Sequence, residues 1–204
     1  MRIHESDGLV ILGAIKGLVS EGEEIEKSIR KRKPDLAGIS ISPAELVGLR
    51  EYIAQGEPVV ELFEHEIAYL ELLMDFGEVR APSPSYTVPV KVTKELGIPL
   101  VPMDMDDDSF ADVYTRNVST MNFLSHAMRE KKAGRKAFKV KDAEDFVIQW
   151  DSSINANKGL KSVEKEREKY MGKKLASLLK KGSVLAVVDV ERMDGIIRSM
   201  TKYL

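Results

Sequence analysis

Apolar positions follow two rhythms along this chain. Short, nearly continuous apolar runs are separated by longer stretches in which apolar residues recur three and four apart, the alternation expected of buried strands and surface helices. The first run, Gly8 to Ile15, predicts a strand covered on both faces. In Ser20 to Arg32 only Ile25 and Ile29 are apolar, with acids early and bases late, so a surface helix is expected before Pro34. Leu36 to Ile41 predicts a second strand. Ser42-Pro43-Ala44-Glu45 is a capping box with proline at the first helical position, opening a helix that runs to about Gln55.

Pro58 to Leu62 fits either a short strand or the lead into a helix over Leu62 to Phe76, and Glu78 to Ala81 suggests another short strand. Beyond the Pro82-Ser83-Pro84 turn, Val88, Val92 and Leu96 predict a helix over Ser85 to Leu96 despite Pro89. Leu100 to Met103 is the next strand. Ser109 to Lys132 reads as one long helix whose apolar face is Phe110, Val113, Met121, Leu124 and Met128. Ala133 to Lys141 is a glycine- and lysine-rich loop, Asp142 to Gln149 a short helix, 152–159 a loose polar stretch, and Ser162 to Lys181 a charged helix. Ser183 to Val190 is the strongest strand pattern, and Arg192 to Tyr203 closes as a helix.

These elements predict an α/β fold: a mostly parallel open sheet flanked by helices, with a helical insertion or arm before the last strand–helix unit. A chain of 204 residues fits one such domain over 1–204, with 133–181 as the arm. Composition narrows the chemistry. With 31 basic and 33 acidic residues, no global field draws the chain to nucleic acid or anionic lipid. The absence of cysteine excludes disulfides, thiolate metal sites and a cysteine nucleophile, and suits a reducing cytoplasm. The N-terminal run lacks the pattern of a signal peptide, and no stretch reaches the roughly 20 apolar residues of a membrane span. Many Lys and Glu residues would suit a thermophile.

Candidate chemistry concentrates in Pro99 to Asn117, where an apolar run ends on Asp104 and Asp106, Asp107 and Asp108 follow. In an open α/β sheet ligands bind at the carboxyl ends of strands, so Asp104 is a candidate ligand-binding residue. The same cluster offers oxygen ligands to a divalent metal, with Asp104, Asp106 and Asp108 as the candidates. It is also a set of good helix caps, and Ser109 stands where a calcium loop opened by Asp104 needs glycine. Glu61 and His65 share a helical face at a usable ligand spacing, but Tyr69 replaces the second histidine of a zincin. His4 and His126 look isolated. In the basic clusters Arg30 to Lys33 and Arg129 to Lys141 interleaved aromatics are sparse and the clusters read as solubilising surface, so no nucleic-acid partner is expected.

Four segments carry a resemblance: Val10 to Lys16, Lys33 to Ile41, Lys94 to Asp104, and Val187 to Ile196. Together they resemble the TraB or PrgY-like (pheromone shutdown) domain, related to the Tiki proteins and to the EreA/ChaN-like superfamily. That resemblance implies an α/β frame and, in members proposed to be metal-dependent hydrolases, histidines where this chain has Lys16 and Arg192. The strand-end glutamate of the family is Ser40 here, and the arginine after its aspartate is Met105. Asp104 is retained, with Arg116 standing in for the family's arginine on the next helix. An imidazole replaced by a permanent cation loses a ligand and repels a metal. The resemblance therefore implies a divergent relative without the metal site and with no resident cofactor. Its expected role is to bind a small anionic ligand or a protein partner through Lys16, Asp104, Arg116 and Arg192, and the arm could support a homo-oligomer. The alternative is a metal-dependent hydrolase using Asp104 to Asp108.

Overall fold

The computed structural model describes residues 1–133 and 137–204. Five strands form one sheet in the order β1 (Arg2–Ser6), β2 (Leu9–Ala14), β5 (Val184–Asp189), β3 (Leu36–Ile39) and β4 (Leu100–Pro102). β1 is antiparallel to β2, and all other neighbours are parallel. The α/β class and the mostly parallel sheet thus agree with the sequence pattern. β1 is an element the pattern did not announce. Its alternating, half-exposed residues make it an edge strand, which needs no continuous apolar run.

β5 is buried along its whole length, and successive residues serve opposite faces. Val184, Ala186 and Val188 join Leu9 and Ile11 under α8 (Lys158–Leu179) and α9 (Met193–Met200), where Met171, Leu175, Leu178 and Ile196 complete the cluster. Leu185 and Val187 join Leu12 and Ala14 under α1 (Val19–Arg32) and α4 (Pro84–Leu96), against Ile25, Ile29 and Val92. The helices on each face approach closely. A Cβ on Gly172 would lie 2.6 Å from Ser199 Cβ and 2.8 Å from the Ile196 carbonyl, so glycine is what lets α8 and α9 touch.

Segment 133–181, expected as an insertion or arm, lies between β4 and β5 in sequence, and its helices are part of the body. α8 covers one face of the sheet. α7 (Ala143–Ile154) packs Phe146, Val147 and Trp150 on Ile15, Leu18 and Leu73 beyond the strand ends. The loop expected over Ala133 to Lys141 falls partly on 134–136, outside the described residues.

Other boundaries moved for local reasons. Asp142 caps α7 by accepting from Asp145 N at 2.8 Å, and the helix runs on to Ile154 because Trp150 and Ile154 continue its buried stripe. Asn157 caps α8, so the stretch expected as loose is mostly helical. Residues 55–63 hold neither strand nor helix, and α3 spans Glu64–Leu73 after α2 (Pro43–Ala54). Glu78 to Ala81 makes one antiparallel bridge, Val79 to Leu18, instead of a strand.

The long helix expected over Ser109 to Lys132 is two: α5 (Asp107–Asn117) and α6 (Thr120–Ala133). Asn117 turns its side chain back onto the Val113 carbonyl at 2.8 Å and Val118 is extended, which ends the first helix. The break re-aims α6. Val113 is buried, but Met121 (74% exposed), Leu124 (50%) and Met128 (57%) face outward, the reverse of the expected apolar face. Among the described residues no helix is long and apolar enough to cross a membrane.

Candidate functional site

After β2 the chain departs to the face of the sheet that carries α1, and after the adjacent β5 it departs to the opposite face, which carries α9. Adjacent parallel strands whose connections diverge leave a crevice at their carboxyl ends, and ligands in open α/β sheets bind there. A cleft of about 680 Å³ occupies this position. Its floor includes Lys16 and Gly17 from the end of β2 and Glu191 from the end of β5. Tyr69 of α3, Tyr86 of α4, His126 and Glu130 of α6, and Trp150 and Asp151 of α7 form its walls.

Two charge clusters, each built on a buried aspartate, sit on this edge. In the first, Asp189 ends β5 and takes three partners. Lys16 Nζ lies 3.1 Å from Oδ2, the Tyr86 hydroxyl donates to Oδ1, and the Asp189 N–H donates to Ser40 Oγ at 3.3 Å. Lys16 also lies 5.8 Å from the centroid of the Tyr86 ring. Burial alone would lower the Lys16 pKa, but Asp189, Tyr86 and Glu191 outweigh it and hold the ammonium well above its ordinary range. Lys16 is therefore a fixed cation and not an amine nucleophile. Burial, with Asp189 beside it, raises the Tyr86 phenol well above its usual value.

Glu191 completes this cluster without being satisfied by it. Its Oε2 is shielded from solvent and has no hydrogen-bond partner among the described residues. Burial first, then the Asp189 charge, raises its carboxyl to about 7, although Lys16 and Arg192 pull the other way. At neutral pH Glu191 can thus either hold or release a proton.

The second cluster is a chain of alternating charges. Arg167 of α8 donates through Nε to Asp104 Oδ2 at 2.9 Å, and its Nη1 lies 3.1 Å from Glu164 Oε2. The same Glu164 oxygen lies 3.0 Å from Arg192 Nε, and Arg192 pairs with Asp151 through its other arm. Met105 N–H donates to Asp104 Oδ1 at 2.8 Å, so both Asp104 oxygens are engaged.

The four residues singled out from the sequence therefore fare differently. Lys16 and Arg192 lie at the ends of adjacent strands, and each meets a carboxylate. Asp104 lies at the end of β4 and reaches Arg192 only through Arg167 and Glu164. Arg116 is exposed on α5, where its Nε donates to the Asp112 carbonyl at 3.1 Å. Asp106 caps α5 by accepting from Ser109 N–H at 2.8 Å, while Asp107 and Asp108 occupy its first turn, exposed. Among the described residues no group of three or more His, Cys, Asp or Glu side chains is arranged to hold a metal.

His126 is not isolated as expected. Its Nδ1 lies 3.3 Å from the Ile154 carbonyl, its Nε2 3.3 Å from Glu130, and His65 of α3 is 3.9 Å from the same carboxylate. Tyr69, Tyr86, Asp151, Glu164, Arg167, Asp189 and Glu191 were not singled out as site residues from the sequence. Only Asp189 and Glu191 carried a signal, as the acids at and just beyond the end of the strongest strand. No family model matches the chain, and the search among curated proteins also returns no match.

Proposed function

We propose that this protein is a small-molecule-binding α/β domain, a divergent relative of the TraB/PrgY-like group that binds its ligand without a metal. The cleft where β2 and β5 part is the binding site. One observation carries this reading: a buried carboxylate oxygen, Glu191 Oε2, lacks a partner among the described residues at the crevice where such sheets take ligands. A buried acceptor left unsatisfied costs about 1–3 kcal/mol, and a ligand donor placed there would recover it. Glu191 is the contact group in this reading, with Lys16 and Tyr86 holding the floor. The anionic ligand suggested by Lys16 and Arg192 has less support, because Asp189 neutralises the first and Asp151 with Glu164 the second.

The chain's single tryptophan, Trp150, lines this cleft and makes the test direct. Small polar molecules screened by tryptophan fluorescence should include ligands that shift its emission, and Trp150→Phe should silence the response while leaving calorimetric binding in place. A broad screen that leaves the emission unmoved overturns the proposal. The metal-dependent alternative at Asp104 to Asp108 is checked by titrating magnesium, manganese and calcium into native protein and Asp104→Asn. Heat that is lost in the variant would restore it.

A further inference from the structure

The cleft wall has a charge imbalance that selects among ligands. Carboxylates of Glu61, Glu66, Glu130, Asp151 and Glu191 line it, against the cations Lys16 and Arg80 and the imidazoles of His65 and His126. Several of these are already committed. Asp151 belongs to Arg192, Glu66 accepts from the Phe63 N–H at 2.9 Å, and Lys16 belongs to Asp189 outside the cleft lining. Glu130 faces the imidazoles of His126 and His65 at 3.3 Å and 3.9 Å, so what is left over among the described residues is an acceptor, Glu191 Oε2, and the exposed carboxylate of Glu61. Part of the lining is aromatic: Tyr69 and Trp150 stand in contact, with ring centroids 5.5 Å apart and tilted by 59°. A cleft lining with an excess of carboxylate beside aromatic rings attracts cations through charge and through the ring quadrupoles.

We propose, resting on the cleft reading above, that the ligand is an organic amine whose ammonium N–H groups donate to Glu191 at the floor, with Tyr69 and Trp150 together lining one side of its carbon chain. A ligand of this kind also selects the ionised form of Glu191. At pH 7, where that carboxyl is about half protonated, binding an ammonium expels the proton it carries. Association is therefore coupled to release of about half a proton per ligand at that pH. An acceptor ligand such as a carboxylate would do the opposite and draw a proton in.

Three probes of matched length and different ends separate these cases: 1,5-diaminopentane, 1,5-pentanediol and glutarate. Trp150 emission gives affinity, and calorimetry in two buffers of different ionisation enthalpy gives the proton count. The diamine should bind at least tenfold tighter than the diol and release about half a proton at pH 7, falling towards none at pH 9. Glu191→Gln should weaken the diamine tenfold or more and abolish the release. Because the proton count is read on native protein, the test stands even if that variant folds poorly. Binding of glutarate or the diol in preference to the diamine overturns the amine and leaves the cleft reading intact. Diamine binding without proton release overturns the role of Glu191. Silence of Trp150 toward these probes and a broad screen alike overturns both readings.

Discussion

The two charge clusters on the carboxyl edge of the sheet are built from the same kinds of residue and end in different states. From Asp104 through Arg167, Glu164 and Arg192 to Asp151, each charged group meets an opposite charge on a neighbouring element, tying β4, α8, the start of α9 and α7 together. From Lys16 through Asp189 to Tyr86 the groups beneath the cleft are also paired, but Glu191 is left with an oxygen that no described neighbour satisfies. A fold retains a satisfied network for its geometry; an unsatisfied buried acid costs stability and persists at sites where something else binds or reacts. The difference separates scaffold from site more sharply than charge content does.

Several measurements would break or sharpen that contrast. The largest effect is expected at the paired cluster. Arg167→Ala leaves buried Asp104 (6% exposed) without its cation, while Glu164 keeps Arg192, and should cost about 3–5 kcal/mol in urea denaturation. An effect below 1 kcal/mol would mean the network is surface decoration.

Next comes the pH profile of Glu191. Its folded value of about 7 lies above the unfolded 4.5, so the native state binds more protons between the two. Unfolding free energy should therefore fall as pH rises through that window, by up to about 3 kcal/mol, since one pKa unit is worth about 1.4 kcal/mol. Glu191→Gln should flatten the slope, and a slope unchanged in the variant assigns it to other groups. Tyr86→Phe removes one donor from Asp189 and should cost about 1–2 kcal/mol, visible as a lower denaturation midpoint at constant m-value. The smallest effects belong outside both clusters. Arg116→Ala and Leu124→Ser should each stay within about 0.5 kcal/mol, because both side chains are at least half exposed or bonded only to their own helix.

The sheet was legible in the sequence wherever a strand is buried on both faces. Gly8 to Ile15 and Ser183 to Val190 are continuous apolar runs because both surfaces of β2 and β5 are covered. β1 escaped notice because an edge strand satisfies itself with alternating, partly solvated residues. The break between α5 and α6 escaped because it is made by an asparagine side chain returning to its own backbone, which leaves the spacing of apolar residues unchanged. The site was legible only by position. Lys16, Asp104 and Arg192 fall where strands end, but their partners come from far along the chain, Tyr86 being 103 residues from Asp189 and Arg167 63 residues from Asp104. Pairing of that kind depends on how the helices cross the sheet, and no local spacing encodes it.

The strand order also carries a consequence for biosynthesis. β5 occupies the middle of the sheet, between β2 and β3, yet it is made last of the five. Until residues 184–189 emerge from the ribosome, β2 and β3 each expose a hydrogen-bonding edge to the vacant slot, and Leu12 and Ile39 lack the Val187 that pairs with both. Non-local closure of this sort is slow, and unpaired edges invite association with other chains. A nascent polypeptide stalled before Val184 is thus the species most prone to aggregate, and the one a chaperone would most profitably hold.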